Sequence, residues 1–411
     1  MVEPSIPKSE YASRRKKALA AIGKSVALVY AGDAQGESFT VDPSFEYFTG
    51  IADEPGAILM LDGAAPSVSR RAVLFLSPRD PEVERWDGIR PGIGGALREA
   101  TGIATIFRTP MFPRFLNEAI VRAKRCACLH PFATIDRPVS RDLETFRKVS
   151  DRVPGVTIED RTALLGKLRS VKSVAEVRML QRAVDLTAKG FEAALAALRP
   201  GIYEHEIQDL LEHTYRRNGS RRGPGYGTIV GGGLMATVLH YRANEHELKD
   251  GDLVCIDSGG TFGAYTADIT RTYPVNGRFT DRQREIYDIV LKAEEAAIRA
   301  VRPGAKISDV HEVASKIIAK AGFGEYFIHG IGHHLGMQVH DLTPEGPLRE
   351  GAVITIEPGI YLPDEAIGVR IEDDILITKT GSRNLSAQIP KKAVDIERAM
   401  SRDSTPARKK K

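Results

Sequence analysis

The 411-residue sequence predicts two structural classes in series. An α/β domain with a mixed sheet occupies residues 1–163, and an α+β domain follows over residues 164–396. Three observations carry this. Apolar β-like runs alternate with helical patterns through the first part, as in a sheet covered by helices. The second part repeats one order of elements, helix, Pro-Gly, helix and β-hairpin, which reads as an internal duplication. Within its β-runs stand Asp257, Asp268, His333, Glu357 and Glu372, five residues of metal-binding type. The end, residues 397–411, is polar and basic and is expected to be disordered.

In the first domain, residues 10–24 place Ala and Leu at helical spacing. Residues 25–31, 57–62 and 71–76 are apolar runs of β-formers, hence buried strands. A turn over residues 63–69 joins the last two. Shorter strands are expected at 103–107 and 126–129, with a helix over 111–124 between them. Cys126 and Cys128 lack a second cysteine pair, so they read as small buried strand residues and not as a zinc site. The one tryptophan, Trp86, lies in a Gly-, Pro- and charge-rich loop over 82–92. That loop is either a surface segment anchored by an aromatic or one that reaches a substrate or a partner subunit, since an exposed tryptophan is costly without a use.

Residues 160–173 are basic, show no clear strand and read as the linker. Ser173 and Glu176 have capping-box spacing and open a long helix, with Leu180, Val184 and Phe191 on its apolar face. Pro200-Gly201 ends it, and residues 204–218 form a second helix. The same arrangement returns at 281–301, Pro303-Gly304 and 307–321. Residues 253–257 and 266–272, separated by a turn over 259–263, form a hairpin that can face Asp257 toward Asp268. Residues 354–357 and 369–377 form a similar pair around a turn over 362–368, which can bring Glu357 close to Glu372.

Composition excludes several functions. Hydrophobic residues make up 42% and charged residues 27%, ordinary for a soluble globular chain. Net charge is +4, and Arg408 to Lys411 supply four positive charges, so the folded part is near neutral and offers no case for nucleic-acid binding. No stretch is long and apolar enough for a signal peptide or a membrane span. Three sparse cysteines fit a reducing, cytoplasmic setting.

One acid in a strand is usually a solvated face or a salt bridge. Here four acids each lie inside an otherwise apolar run, and burying an unpaired carboxylate costs several kcal/mol. Cations resolve that cost. Oxygen-rich ligands with one imidazole favour manganese, then cobalt, zinc or iron. Four carboxylates suit two divalent ions about 3.5–4 Å apart, bridged by carboxylates and hydroxide. His240 and His340 fall near the site, and neutral imidazoles there suit a developing oxyanion or leaving nitrogen. Of His333 and His334 only one can face the metals. His205, His213, His246 and His311 read as solvent-facing. Arg370 shares a strand face with Glu372 and can bind a substrate carboxylate or orient Asp257.

Together these stretches resemble the metallopeptidases of the pita-bread fold, in the branch of Xaa-Pro aminopeptidases (aminopeptidase P) and prolidases. The resemblance rests on Leu239-His240-Tyr241, Gly251 to Gly259, Asp268 to Gly277, His329 to Gly336, Val339-His340-Asp341, Ile356 to Tyr361 and Val369 to Asp373. It extends to Phe45 to Gly50 and Glu84 to Gly92 in the first domain. His334 stands where the family often has an aromatic, and Gln338 where it is often acidic. The resemblance implies a curved, pseudo-duplicated antiparallel sheet covered by helices. It implies that Asp257 binds one metal, Asp268 and Glu372 bridge two, and His333 and Glu357 complete the other. His240 and His340 then handle the scissile carbonyl and the intermediate, Arg370 supports the site or the substrate, and Glu357 passes a proton. The expected reaction is attack by a metal-bridging hydroxide on the bond before a proline at position two of a peptide. A homodimer or homotetramer is expected. An X-Pro dipeptidase is the alternative activity. A non-hydrolytic pita-bread binding protein and a metal-free relative acting on creatine are disfavoured, because all five ligands are present.

Overall fold

The computed structural model describes residues 3–35, 38–131, 135–136 and 138–402. The chain forms two units, Ile6–Leu168 and, in the main, the residues from Arg169 on. The first opens with α1 (Lys8–Ile22) and continues through β1 (Val26–Tyr30), α2 (Pro43–Thr49), β2 (Ile58–Asp62) and β3 (Ala72–Leu76). Then come α3 (Pro81–Asp87), α4 (Gly95–Thr101), β4 (Thr105–Arg108), α5 (Phe112–Ala123), β5 (Arg125–Cys128), α6 (Arg141–Ser150) and β6 (Thr157–Asp160). The strands form one sheet in the order β4-β3-β2-β1-β5-β6. The β1–β2 and β2–β3 pairs are antiparallel and the other three parallel, so the sheet is mixed. Every residue of β1 and β2 is buried, because helices cover both faces. Leu28, Met60 and Phe75 pack with Ile120 and Phe146 on one side. Cys126 and Cys128 are buried on β5, and burial pushes both thiols up to about 12, which leaves them inert.

Three expectations in this unit need correction. The sheet has a sixth strand, β6, which is short, polar and partly exposed and so lacks an apolar run. The predicted linker contains a helix, α7 (Ala163–Arg169). Trp86 lies on α3, not in a loop, because Asp80 caps that helix through Glu82 and Val83 and a proline starts it. Its side chain is 88% exposed and lines a surface cavity with Glu54, Ile89 and Arg90.

The second unit begins with α8 (Val174–Ala197) and α9 (Glu204–Arg217), which pack together. Ser173 and Glu176 form the capping box. The strands β7 (Ile229–Gly232), β8 (Leu253–Asp257), β9 (Thr261–Phe262), β10 (Tyr265–Thr266) and β11 (Thr270–Pro274) follow. A second helix pair, α10 (Asp281–Ala300) and α11 (Ile307–Lys320), precedes β12 (Val353–Ile356), β13 (Gly359–Leu362), β14 (Ile367–Arg370), β15 (Asp373–Ile377) and β16 (Ser382–Asn384). Each half thus carries two helices and a three-stranded sheet, β11-β8-β7 in one and β12-β15-β16 in the other.

The hairpins are more broken than the sequence suggests. The turn at 259–263 includes β9, which pairs with β10 to make a small hairpin between β8 and β11. The single pairing expected of 354–357 with 369–377 is two ladders, β12 with β15 and β13 with β14. Pro358 interrupts it, having no N–H to give. Last, α12 (Ala393–Arg402) runs into the stretch expected to be disordered. The remainder of that stretch, 403–411, lies outside the described residues.

Candidate metal centre

The ligand-type residues sit where these ladders stop. Asp257 ends β8, Asp268 precedes β11, Glu357 follows β12, and Glu372 precedes β15. At a ladder's end the backbone is free of the strict in-out alternation, so successive acids can turn to one place. The strands are held in register around them: Asp257 pairs with Thr270, and the Glu372 N–H donates to the Thr270 carbonyl at 3.1 Å. The segment bearing His333 runs beside β12, where the Thr355 N–H donates to the His333 carbonyl and the Glu357 N–H to that of Ile331. Gly332 permits this approach, since a Cβ there would lie 2.0 Å from the Thr355 oxygen.

Ligand atoms of Asp268, His333 and Glu372 lie within 4.8 Å of one another, as a shared metal ion requires. Nδ1 of His333 donates to the His334 carbonyl at 3.2 Å. This turns Nε2 toward Asp268, at 3.3 Å, and Glu357, at 3.5 Å. Asp257, Glu357, His240, His340 and Arg370 line the same cavity of about 370 Å³. His340 stacks on His333 with ring centroids 4.1 Å apart. His334 is buried and does not line that cavity, whereas His333 does. His205, His213 and His246 are exposed, but His311 is half-buried, set against the Phe327 ring and bonded to Ser315.

The electrostatics call for positive charge. Burial and the neighbouring carboxylates Asp268, Glu357 and Asp257 hold Glu372 well above the usual carboxylate range. Burial raises Glu357 to about 7 against the pull of His333. Burial lowers His333, but its bond to Asp268 and the charges of Asp268 and Glu357 outweigh that and raise it to about 9. Burial and the His333 charge lower His340, which favours its neutral form. A crowd of carboxylates that favours protons over bare charge is also one that fits divalent ions.

Other side chains orient the ligands. Arg370 donates to Asp257 (2.7 Å), to the Thr270 hydroxyl (3.2 Å) and to the Tyr361 hydroxyl (3.1 Å). Its guanidinium is thereby engaged with Asp257. The Tyr226 hydroxyl donates to Asp257 (2.6 Å), Thr270 to Glu372 (2.6 Å) and Thr355 to Glu357 (3.2 Å). His329 and Tyr361 share a 2.9 Å hydrogen bond. Behind the ligands, Arg271 is fully buried. It donates to the carbonyls of Thr270 (2.9 Å) and Glu372 (2.6 Å) and pairs with Asp373 (2.6 Å).

Residues 178–379 match the model of metallopeptidase family M24, and residues 11–128 match the N-terminal domain of aminopeptidase P. An Xaa-Pro aminopeptidase of Haemophilus influenzae is 35% identical, with 96% of this chain and 98% of that one covered. The chain belongs to metallopeptidase family M24. Xaa-Pro aminopeptidase 3 of Rattus norvegicus is 32% identical over 98% of this chain and 88% of its own length. Among solved structures, aminopeptidase P from Escherichia coli with the inhibitor Pro-Leu superposes with a TM-score of 0.86. It is 34% identical, with 97% of this chain and 99% of that one covered. Proline aminopeptidase P II from Yersinia pestis gives the same TM-score at 33% identity, with 96% and 100% covered.

For an M24 metallopeptidase the acids were the easy part to read. Tyr226, Thr270, Thr355 and Tyr361 escaped, because a hydroxyl in a strand or loop has no pattern of its own. The Glu357-Pro358 break was the available signal that the ladder stops at a ligand.

Proposed function

We propose that this chain is an aminopeptidase that releases the N-terminal residue from peptides with proline at position two. The likeness to Xaa-Pro aminopeptidases over nearly the whole chain supports the substrate, and the convergence of Asp268, His333 and Glu372 supports the metal. Asp257, Asp268, His333, Glu357 and Glu372 would hold two divalent ions, manganese by preference on donor type. Bound there, the ions would supply an acidified bridging hydroxide for attack and polarise the scissile carbonyl.

The protein does the rest. Asp268 and Glu372 would serve both ions, Asp257 one of them, and His333 and Glu357 the other. Arg370 and Tyr226 fix both oxygens of Asp257. His240 and His340 stand exposed on the cavity wall, where imidazole can donate to the carbonyl oxygen and to the intermediate. Glu357 passes a proton to or from the attacking solvent. An imide nitrogen before proline carries no hydrogen and its ring restricts the chain, so a site that does not depend on that N–H suits it. Homodimer or homotetramer assembly and peptide contact by Trp86 belong to the same reading. Trp86→Ala, followed by molar mass from light scattering and KM, separates the two roles.

The deciding experiment supplies manganese and compares Arg-Pro-Pro with a free X-Pro dipeptide. Release of arginine from the tripeptide supports the proposal. Cleavage of the dipeptide alone makes the chain an X-Pro dipeptidase, and cleavage of neither, with no metal co-purifying, rejects both.

A further inference from the structure

The metal cavity has a second guanidinium at its wall, and it is free. Arg370 is buried and committed to Asp257, Thr270 and Tyr361. Arg242 lines the same cavity two residues after His240, yet it is exposed. Among the described residues it makes no hydrogen bond or ion pair, although Asp257, Asp268, Glu357 and Glu372 line the cavity with it. Its stem is not loose. It lies along the backbone of Gly227, where a Cβ would stand 3.4 Å from Cδ and 3.6 Å from Nε, the contacts of a packed neighbour. Gly227 adjoins Tyr226, whose hydroxyl holds Asp257. The head group is therefore supported beside the reacting centre while its donors stay unspent.

We propose that Arg242 is a specificity-determining residue that binds a carboxylate of the peptide substrate. This rests on the Xaa-Pro aminopeptidase reading. A guanidinium offers a planar fork of donors that matches a carboxylate in bidentate fashion. The acids of the cavity belong to the metal centre, so the carboxylate that meets Arg242 arrives with the peptide. It is either the C-terminus of a short chain or an Asp or Glu side chain. An arginine that served only to face solvent would discriminate between no such substrates.

The test measures kcat/KM of the manganese-loaded enzyme on Ala-Pro-Gly, its C-terminal amide, and the amide of Ala-Pro-Glu. Wild type is expected to favour a carboxylate-bearing peptide over the plain amide by about five- to tenfold, through KM, as for a partly exposed charged hydrogen bond. Arg242→Gln should bring that ratio to about one and Arg242→Glu below one. Preference for Ala-Pro-Gly assigns the chain terminus, and preference for the Ala-Pro-Glu amide assigns the side chain. Ratios unchanged in Arg242→Gln on both peptides overturn the assignment. Absence of turnover on all three by wild type overturns the aminopeptidase reading beneath it.

Discussion

Arg370 shows how much of the centre depends on groups that touch no metal. Three of its donors are spent on Asp257, Thr270 and Tyr361, so Lys, with a point charge and no fork, cannot replace it. Arg370→Lys is expected to weaken manganese binding by about 10- to 100-fold, read by competition against a metallochromic chelator. Unchanged affinity would show that Asp257 needs no such support. Glu372→Ala is a sharper case. It should abolish turnover with far-UV circular dichroism preserved, because it removes a proposed ligand and a carboxyl whose ionised form the metal-free fold disfavours. Measurable peptidase activity in that variant would end its bridging role. The ligand acids were legible because each interrupts an apolar run. Tyr226 and Thr270 were not, since threonine is an ordinary strand former and its partner is known only once register is known.

At the scale of elements, the site is a set of strand ends. The residue pattern placed β1, β2, β3, β8 and the helices α1, α5, α8, α9, α10 and α11 within a few residues, because long apolar runs and capping residues are local signals, while the other helices described, α3 and α7 among them, went unread. It merged β12 with the Glu357 break and missed β6, where short polar segments depend on neighbours for their pairing. The close approach at Gly332 is the element-level feature to test. Gly332→Ala would drive a methyl into the Thr355 carbonyl and shift the His333 segment off β12. Metal content and kcat should fall at least about tenfold, while the melting temperature drops only by the few degrees of a local clash. Full metal occupancy in that variant would mean that the segment relaxes without moving His333.

For the whole molecule, the centre couples stability to pH. Glu357 is raised to about 7 and His333 to about 9. For any group raised in the folded state, the stability it lends is complete below its unfolded value and is lost as pH climbs through the folded one. The metal-free chain therefore loses stability from Glu357 between about 4.5 and 7 and from His333 between about 6.5 and 9. Metal binding requires the same groups deprotonated and so strengthens with pH. The gain in melting temperature on adding manganese should be several degrees larger near about pH 8.5 than near about pH 6. Equal gains at both, by scanning calorimetry against a chelator control, would uncouple the centre from these titrations.

The clamp made by Arg271 joins Thr270, in one half of the second unit, to Glu372 and Asp373 in the other. Asp257 and Asp268 come from the first of those halves, and His333, Glu357 and Glu372 from the second. Neither half supplies the whole proposed ligand set, so on that set tight metal capture would require the halves to have docked. An ion bound by that set would then be a late checkpoint on assembly. A truncated chain, or one whose halves have docked out of register, stays metal-poor. The metal content of a preparation is in that sense a census of correctly assembled molecules.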